Sequence, residues 1–101
     1  MDNNKIINAL RKVKETQWVG ELTFFTMDEC LRSINFSTNN GGLYDPKAIK
    51  IEKVKGHFLV NKDNSIFYDA RIIKKDDGKF KIEWLSNSGY DAFENAYKLQ
   101  N

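Results

Sequence analysis

The stretch Ile66-Phe67-Tyr68-Asp69-Ala70-Arg71-Ile72-Ile73-Lys74-Lys75-Asp76-Asp77-Gly78-Lys79-Phe80-Lys81-Ile82-Glu83-Trp84-Leu85 decides the fold. Ile66, Tyr68, Ala70 and Ile72 fall on even positions before the turn formers Asp76-Asp77-Gly78, and Phe80, Ile82 and Trp84 on even positions after them. A period of two is that of half-buried strands. Residues directly opposite on neighbouring strands point to the same face, so even must pair with even. That parity requires a loop of odd length, hence a three-residue Asp76–Gly78 loop with Gly78 left-handed in a bulge rather than a two-residue Asp-Gly turn. The register follows: Ile72 opposite Ile82, Ala70 opposite Trp84. Arg71 then stands opposite Glu83 on the other face, an exposed ion pair worth about 0.2–1 kcal/mol.

Working upstream, the same parity places Val60 opposite Ile66, Phe58 opposite Tyr68 and Val54 opposite Ile72, across a loop near Asn61–Ser65. Ile49 and Ile51 are odd, so a single strand over 48–60 needs a bulge near Glu52-Lys53, the alternative being two separate strands. Residues 35–46, with Asn39-Asn40-Gly41-Gly42 and Asp45-Pro46, read as the longest loop, tacked down by Phe36, Leu43 and Tyr44.

Thr26-Met27-Asp28-Glu29 fits a capping box, with Phe25 and Cys30 as a hydrophobic staple, and Met27, Cys30, Leu31 and Ile34 give the inward stripe of a short helix. Before it, Trp18, Gly20, Leu22 and Phe24 alternate as a strand over 18–25, with a bend at Gly20. Ile6, Ile7, Leu10 and Val13 predict a first helix over 4–16, N-capped from Asp2, Asn3 or Asn4. Downstream, Tyr90, Phe93, Ala96 and Tyr97 predict a terminal helix over 89–99 with Ser88 as its cap. The resulting fold class is α+β: N-terminal helix, strand and short helix, then a curved antiparallel meander of three to four strands and a C-terminal helix.

The chain of 101 residues and 11.8 kDa suits a single domain over 1–101. Its 41% hydrophobic and 30% charged residues are those of a globular rather than a disordered chain. One cysteine, Cys30, rules out an internal disulfide, and one histidine, His57, leaves no zinc-type cluster, so neither metal nor cofactor is expected. No apolar run approaches membrane-spanning length and the N-terminus has no signal-peptide core, which makes the cytoplasm the expected compartment.

The net charge of +2 is unevenly placed: residues 47–83 hold ten basic and six acidic side chains, against five and six in 1–46. Lys50, Lys53, Lys55, Arg71, Lys74, Lys75, Lys79 and Lys81 are candidates for following a phosphate backbone, although interleaved acids describe a solvated mixed surface equally well. No catalytic constellation is recognisable. A Cys30–His57 dyad requires the fold to bring them together, His57 reads as an outward or edge residue, Gly41-Gly42 lacks a P-loop's lysine, and Asp76-Asp77 is a hairpin turn rather than a calcium loop.

The strand pattern of 67–85 followed by Tyr90-Asp91 resembles that of Tudor and chromo-barrel modules over less than half of the chain, and such modules bind modified peptides or nucleic acid. The helical N-terminal portion departs from that pattern. On the meander's second face, Phe67, Ile73 and Leu85 lie among Arg71, Lys79, Lys81 and Glu83. Those apolar groups call for cover by a helix or by a partner. Either each face of the sheet receives a helix or both helices share one and leave this face free. The expected function is therefore a non-enzymatic protein-binding module of inhibitor, immunity or adaptor type, with Phe67, Arg71, Ile73, Lys79, Lys81, Glu83 and Leu85 as the binding surface. A nucleic-acid binder and a small-molecule pocket lined by Tyr68, Trp84, His57 or Tyr97 are the alternatives.

Overall fold

The computed structural model describes residues 2–39, 49–52, 57–62 and 65–100. Helix α1 (Asn3–Leu10) and a 3-10 turn (Glu15–Gln17) precede the short strands β1 (Trp18–Val19) and β2 (Thr23–Phe24). Helix α2 (Met27–Asn39), strands β3 (Ile49–Glu52), β4 (His57–Lys62), β5 (Ser65–Lys74) and β6 (Phe80–Leu85), and helix α3 (Asn87–Lys98) complete the α+β order. All strand pairs are antiparallel, in the order β1-β6-β5-β4-β3, with β2 pairing on β6 along the same edge as β1. The sheet is open, unlike a barrel module.

The β5–β6 hairpin follows the parity argument. Ala70 pairs with Trp84, Arg71 with Glu83 and Ile72 with Ile82. Gly78 has φ +86° and donates to the Lys75 carbonyl at 3.0 Å, while Lys75 N–H meets the Lys79 carbonyl at 2.8 Å. Asp77 Oδ1 accepts from Lys79 N–H at 2.9 Å, which accounts for the acids as turn formers.

Upstream of Ala70 the parity fails. β4 pairs Phe58 with Ile72 and Leu59 with Arg71, then jumps to Val60 with Phe67 and Asn61 with Ile66. Tyr68, Asp69 and Ala70 are thus skipped in the β4 ladder, an odd number of residues, so β5 exchanges faces there, while Ala70 keeps its pairing with Trp84. Ile66 and Tyr68 join the opposite layer from Ala70 and Ile72, and Phe67 joins theirs. The pairings expected for Val60 and Phe58 are corrected accordingly, and Val54 lies outside the described residues. The expected loop at 61–65 is instead strand up to Lys62 and again from Ser65. β3 and β4 are two strands, with Ile51 opposite Phe58 and Glu52 opposite His57.

Each face of the sheet carries helix. α2 covers Ala70, Ile72 and Ile82 with Cys30, Leu31 and Ile34, joined by Phe58, Phe80 and Trp84. On the other face Ile6, Ala9 and Leu10 of α1 and Phe93 of α3 pack over Trp18, Leu59, Ile66 and Leu85. The α1–α3 layer is tied down by polar bonds: Asn3 Oδ1 accepts from Ile66 N–H at 2.9 Å beside the bulge, and Gln100 donates to the Lys5 carbonyl at 2.8 Å.

The helix ends show which local signals act. Asp2 caps α1, accepting from Asn4 and Lys5. α1 ends at Leu10 rather than 16, because Lys12 and Val13 bond to the carbonyls three residues back and tighten the chain out of the helix. The Thr26 box forms as read, with Glu29 N–H on Thr26 Oγ1 at 3.2 Å and Thr26 N–H on Glu29 Oε1 at 3.1 Å. Its staple does not, since Phe25 is 74% exposed. α2 also continues through residues 35–39, read above as loop, since extending a nucleated helix is easier than starting one. Residues 40–48, including Leu43 and Tyr44, lie outside the described residues, as do Lys53 and Lys55. Ser86, not Ser88, caps α3: its Oγ accepts from Gly89 N–H at 3.1 Å and donates to the Gln17 carbonyl at 2.8 Å.

Candidate functional site

β5 and β6 place Arg71 and Glu83 side by side on the face that α1 and α3 overlie. The segment 10–18 then runs across them, so the ion pair is buried: the residues are 4% and 8% exposed. Polar alternation had marked this as a solvent face, but a charge pair that satisfies itself is what a covering chain segment can tolerate. Arg71 Nε and Nη2 donate to Glu83 Oε1 at 3.0 and 2.8 Å. Nη2 also donates to Glu15 Oε2 at 2.6 Å, and Nη1 to His57 Nδ1 at 3.0 Å. Because a guanidinium only donates, this histidine nitrogen is the acceptor.

The guanidinium carbon lies 4.4 Å from the centroid of the Trp18 ring, a cation–π contact. Lys81 closes the network on Glu83 Oε2 at 3.2 Å. His57, expected outward, is therefore buried at 8% and held by Arg71. It lies on the face opposite Cys30, so the two do not form a dyad. Burial, with a smaller contribution from Glu29, pushes the Cys30 thiol up to about 11.

Above this network a cleft of about 560 Å³ opens between the 10–15 segment and the sheet. Leu10, Val13, Trp18 and Leu59 give it apolar walls, His57 and Arg71 a polar floor, and Arg11, Lys12, Lys14 and Glu15 a charged rim. Of the four residues expected to line a pocket only His57 does so. The indole N–H of Trp18 is buried with no acceptor among the described residues.

A second feature lies on the sheet edge. Val19, Leu22 and Phe25 are 52%, 58% and 74% exposed along the β1–β2 segment. Lys79 Nζ stands 5.0 Å from the centroid of the Phe25 ring, and Thr23 is opposite Lys81. Sequence reasoning did not single out this edge, although a signal was present: large apolar residues occupy both parities of 18–25. The strand expected over 18–25 is in fact two short strands: Trp18 is buried in the α1–α3 core, Phe24 packs against the α2 core and Leu22, of the same parity, is exposed, so the single shared face read for them is corrected.

The residues expected to form one binding surface are distributed over four places. Leu85 is 5% exposed in the α1–α3 core, opposite Trp18. Phe67 lies on the α2 face, edge-on to Trp84 at 6.3 Å and 83°. Arg71 and Glu83 form the buried network. Lys79 and Lys81 remain half-exposed beside the edge, and Ile73, also half-exposed, lies one strand further in on β5, opposite Lys81. Among the other basic candidates, Lys74 is exposed and Lys75 lies 3.6 Å from Asp77. No described helix is long and apolar enough to cross a membrane. Comparison with protein families, with curated proteins and with solved structures returns no match to this chain.

Proposed function

We propose that this chain is a non-enzymatic binding protein, of inhibitor, immunity or adaptor type, that docks another protein on its β1–β2 edge. The observation that carries the reading is the run of Val19, Leu22 and Phe25, each more than half exposed, on β1 and on the residues that flank β2 along the sheet edge. An edge strand offers unpaired backbone groups, and large apolar residues beside it supply the anchors that interfaces use. Lys79, over the Phe25 ring, and Lys81, opposite Thr23, flank that edge and form the rim. Gly20 sets the approach of this edge to β6, because a Cβ there would lie 2.1 Å from the Ile82 carbonyl oxygen.

The test is capture from an extract of the source cells on immobilised protein, with and without nuclease, using the wild type and a Leu22→Asp, Phe25→Asp double variant. A protein retained by the wild type after nuclease treatment and reduced about ten-fold or more on the variant supports the reading. Equal retention by both removes the edge as the site. Retention that disappears with nuclease moves the function to nucleic acid and to the lysines of β5 and β6.

A further inference from the structure

The Arg71 cleft borders the β1–β2 edge through Trp18 but lies on the α1–α3 face of the sheet, away from Leu22 and Phe25, and has features of its own. Arg71 binds two carboxylates of different character. Glu83 is a buried strand neighbour whose side chain is 10% exposed, whereas the Glu15 side chain is 52% exposed and comes from a three-residue turn at the cleft rim. Four of the five guanidinium N–H groups are used: two on Glu83, one on Glu15 and one on His57. The fifth, on Nη1, has no partner among the described residues.

Lys12 and Lys14 on the rim are exposed and have no acidic partner among the described residues. The lining therefore carries a surplus of positive charge over apolar walls, in a volume within the range of small-molecule sites.

We infer that the cleft binds a small aromatic carboxylate whose carboxylate group takes the place of Glu15 on Arg71. The aromatic body lies against Leu10, Val13 and Leu59. A ligand carboxylate spanning Nη1 and Nη2 makes two bonds where Glu15 makes one, and the fork geometry of arginine favours that exchange. Lys12 and Lys14 supply long-range attraction and sensitivity to salt. Glu15 is then a built-in competitor that keeps the guanidinium paired when the cleft is empty.

The probe is 2-naphthoate, with neutral 2-naphthamide as its control, measured by calorimetry and by ¹H–¹⁵N NMR on the full chain. Naphthoate is expected to bind at least about ten-fold more tightly than the amide, shifting the Arg71 Nε–H and Trp18 indole N–H resonances. Glu15→Gln removes the competing charge and is expected to tighten naphthoate binding about ten-fold, while a Lys12→Gln, Lys14→Gln double variant weakens it several-fold. Both changes lie on exposed side chains, and the resonances of the unliganded variants report that the fold is kept. Equal binding of acid and amide, no binding of naphthoate at millimolar concentration, or unchanged affinity in Glu15→Gln overturns the inference.

Discussion

Arg71 is charged, 4% exposed and shared among Glu83, Glu15 and His57, so its removal leaves the buried Glu83 carboxylate with only the half-exposed Lys81 as counter-charge. Arg71→Met is expected to cost about 3–5 kcal/mol, with Arg71→Met, Glu83→Leu recovering more than half of that. Urea unfolding of the two single variants and the double checks this, and strictly additive losses would show that the pair does not act as a unit. The pairing itself was legible, since register over 70–85 is a local property of one hairpin. Its burial was not, because Glu15 and Trp18 reach it from more than fifty residues away along the chain.

Two glycines separate the two ways an element can depend on that residue. Gly78 adopts φ +86° with open space around its Cβ position, so Gly78→Ala carries only the left-handed backbone penalty, about 1 kcal/mol. Gly20 has no positive φ to lose, but its Cβ would meet the β6 backbone, and Gly20→Ala is expected to cost about 2–3 kcal/mol and to loosen the β1–β2 edge. Denaturation midpoints should fall in that order, and the reverse order would contradict the close approach of 18–24 to β6. The Gly78 turn and the Thr26 box were readable because each is completed within a few residues. The bulge at Tyr68–Ala70 was not: alternation runs through it unbroken, and only pairing with β4 and the bond from Ile66 to Asn3 reveal it.

At the scale of the molecule, burial of titratable groups sets how the fold responds to alkali. The Cys30 thiol is pushed from 9.0 up to about 11 by its burial on the inward face of α2 against the sheet, with Glu29 adding to it. The Tyr90 phenol is also raised, first by desolvation and then by its 2.5 Å hydrogen bond to Asp69. Both groups hold their protons more tightly in the folded than in the unfolded chain. Stability from this source is complete below pH about 9 and declines as pH rises towards 11. Urea midpoints are expected to fall between pH 8 and 11, with a shallower fall in Cys30→Ala; midpoints flat over that range for the wild type would contradict this account.

By itself the sequence determined the α+β class, the β5–β6 register and its three-residue turn, the inward Cys30 and the cap at Thr26, because each rests on periodicity or on neighbours a few residues apart. Tertiary structure decided which face each residue serves. The odd-length bulge in β5 sent Phe67 and Leu85 to opposite layers, and the 10–18 segment turned an alternating polar face into a buried network with a cleft above it. The physical reason is that alternation tells which residues share a side, whereas cover depends on segments distant in sequence that arrive only when the chain closes.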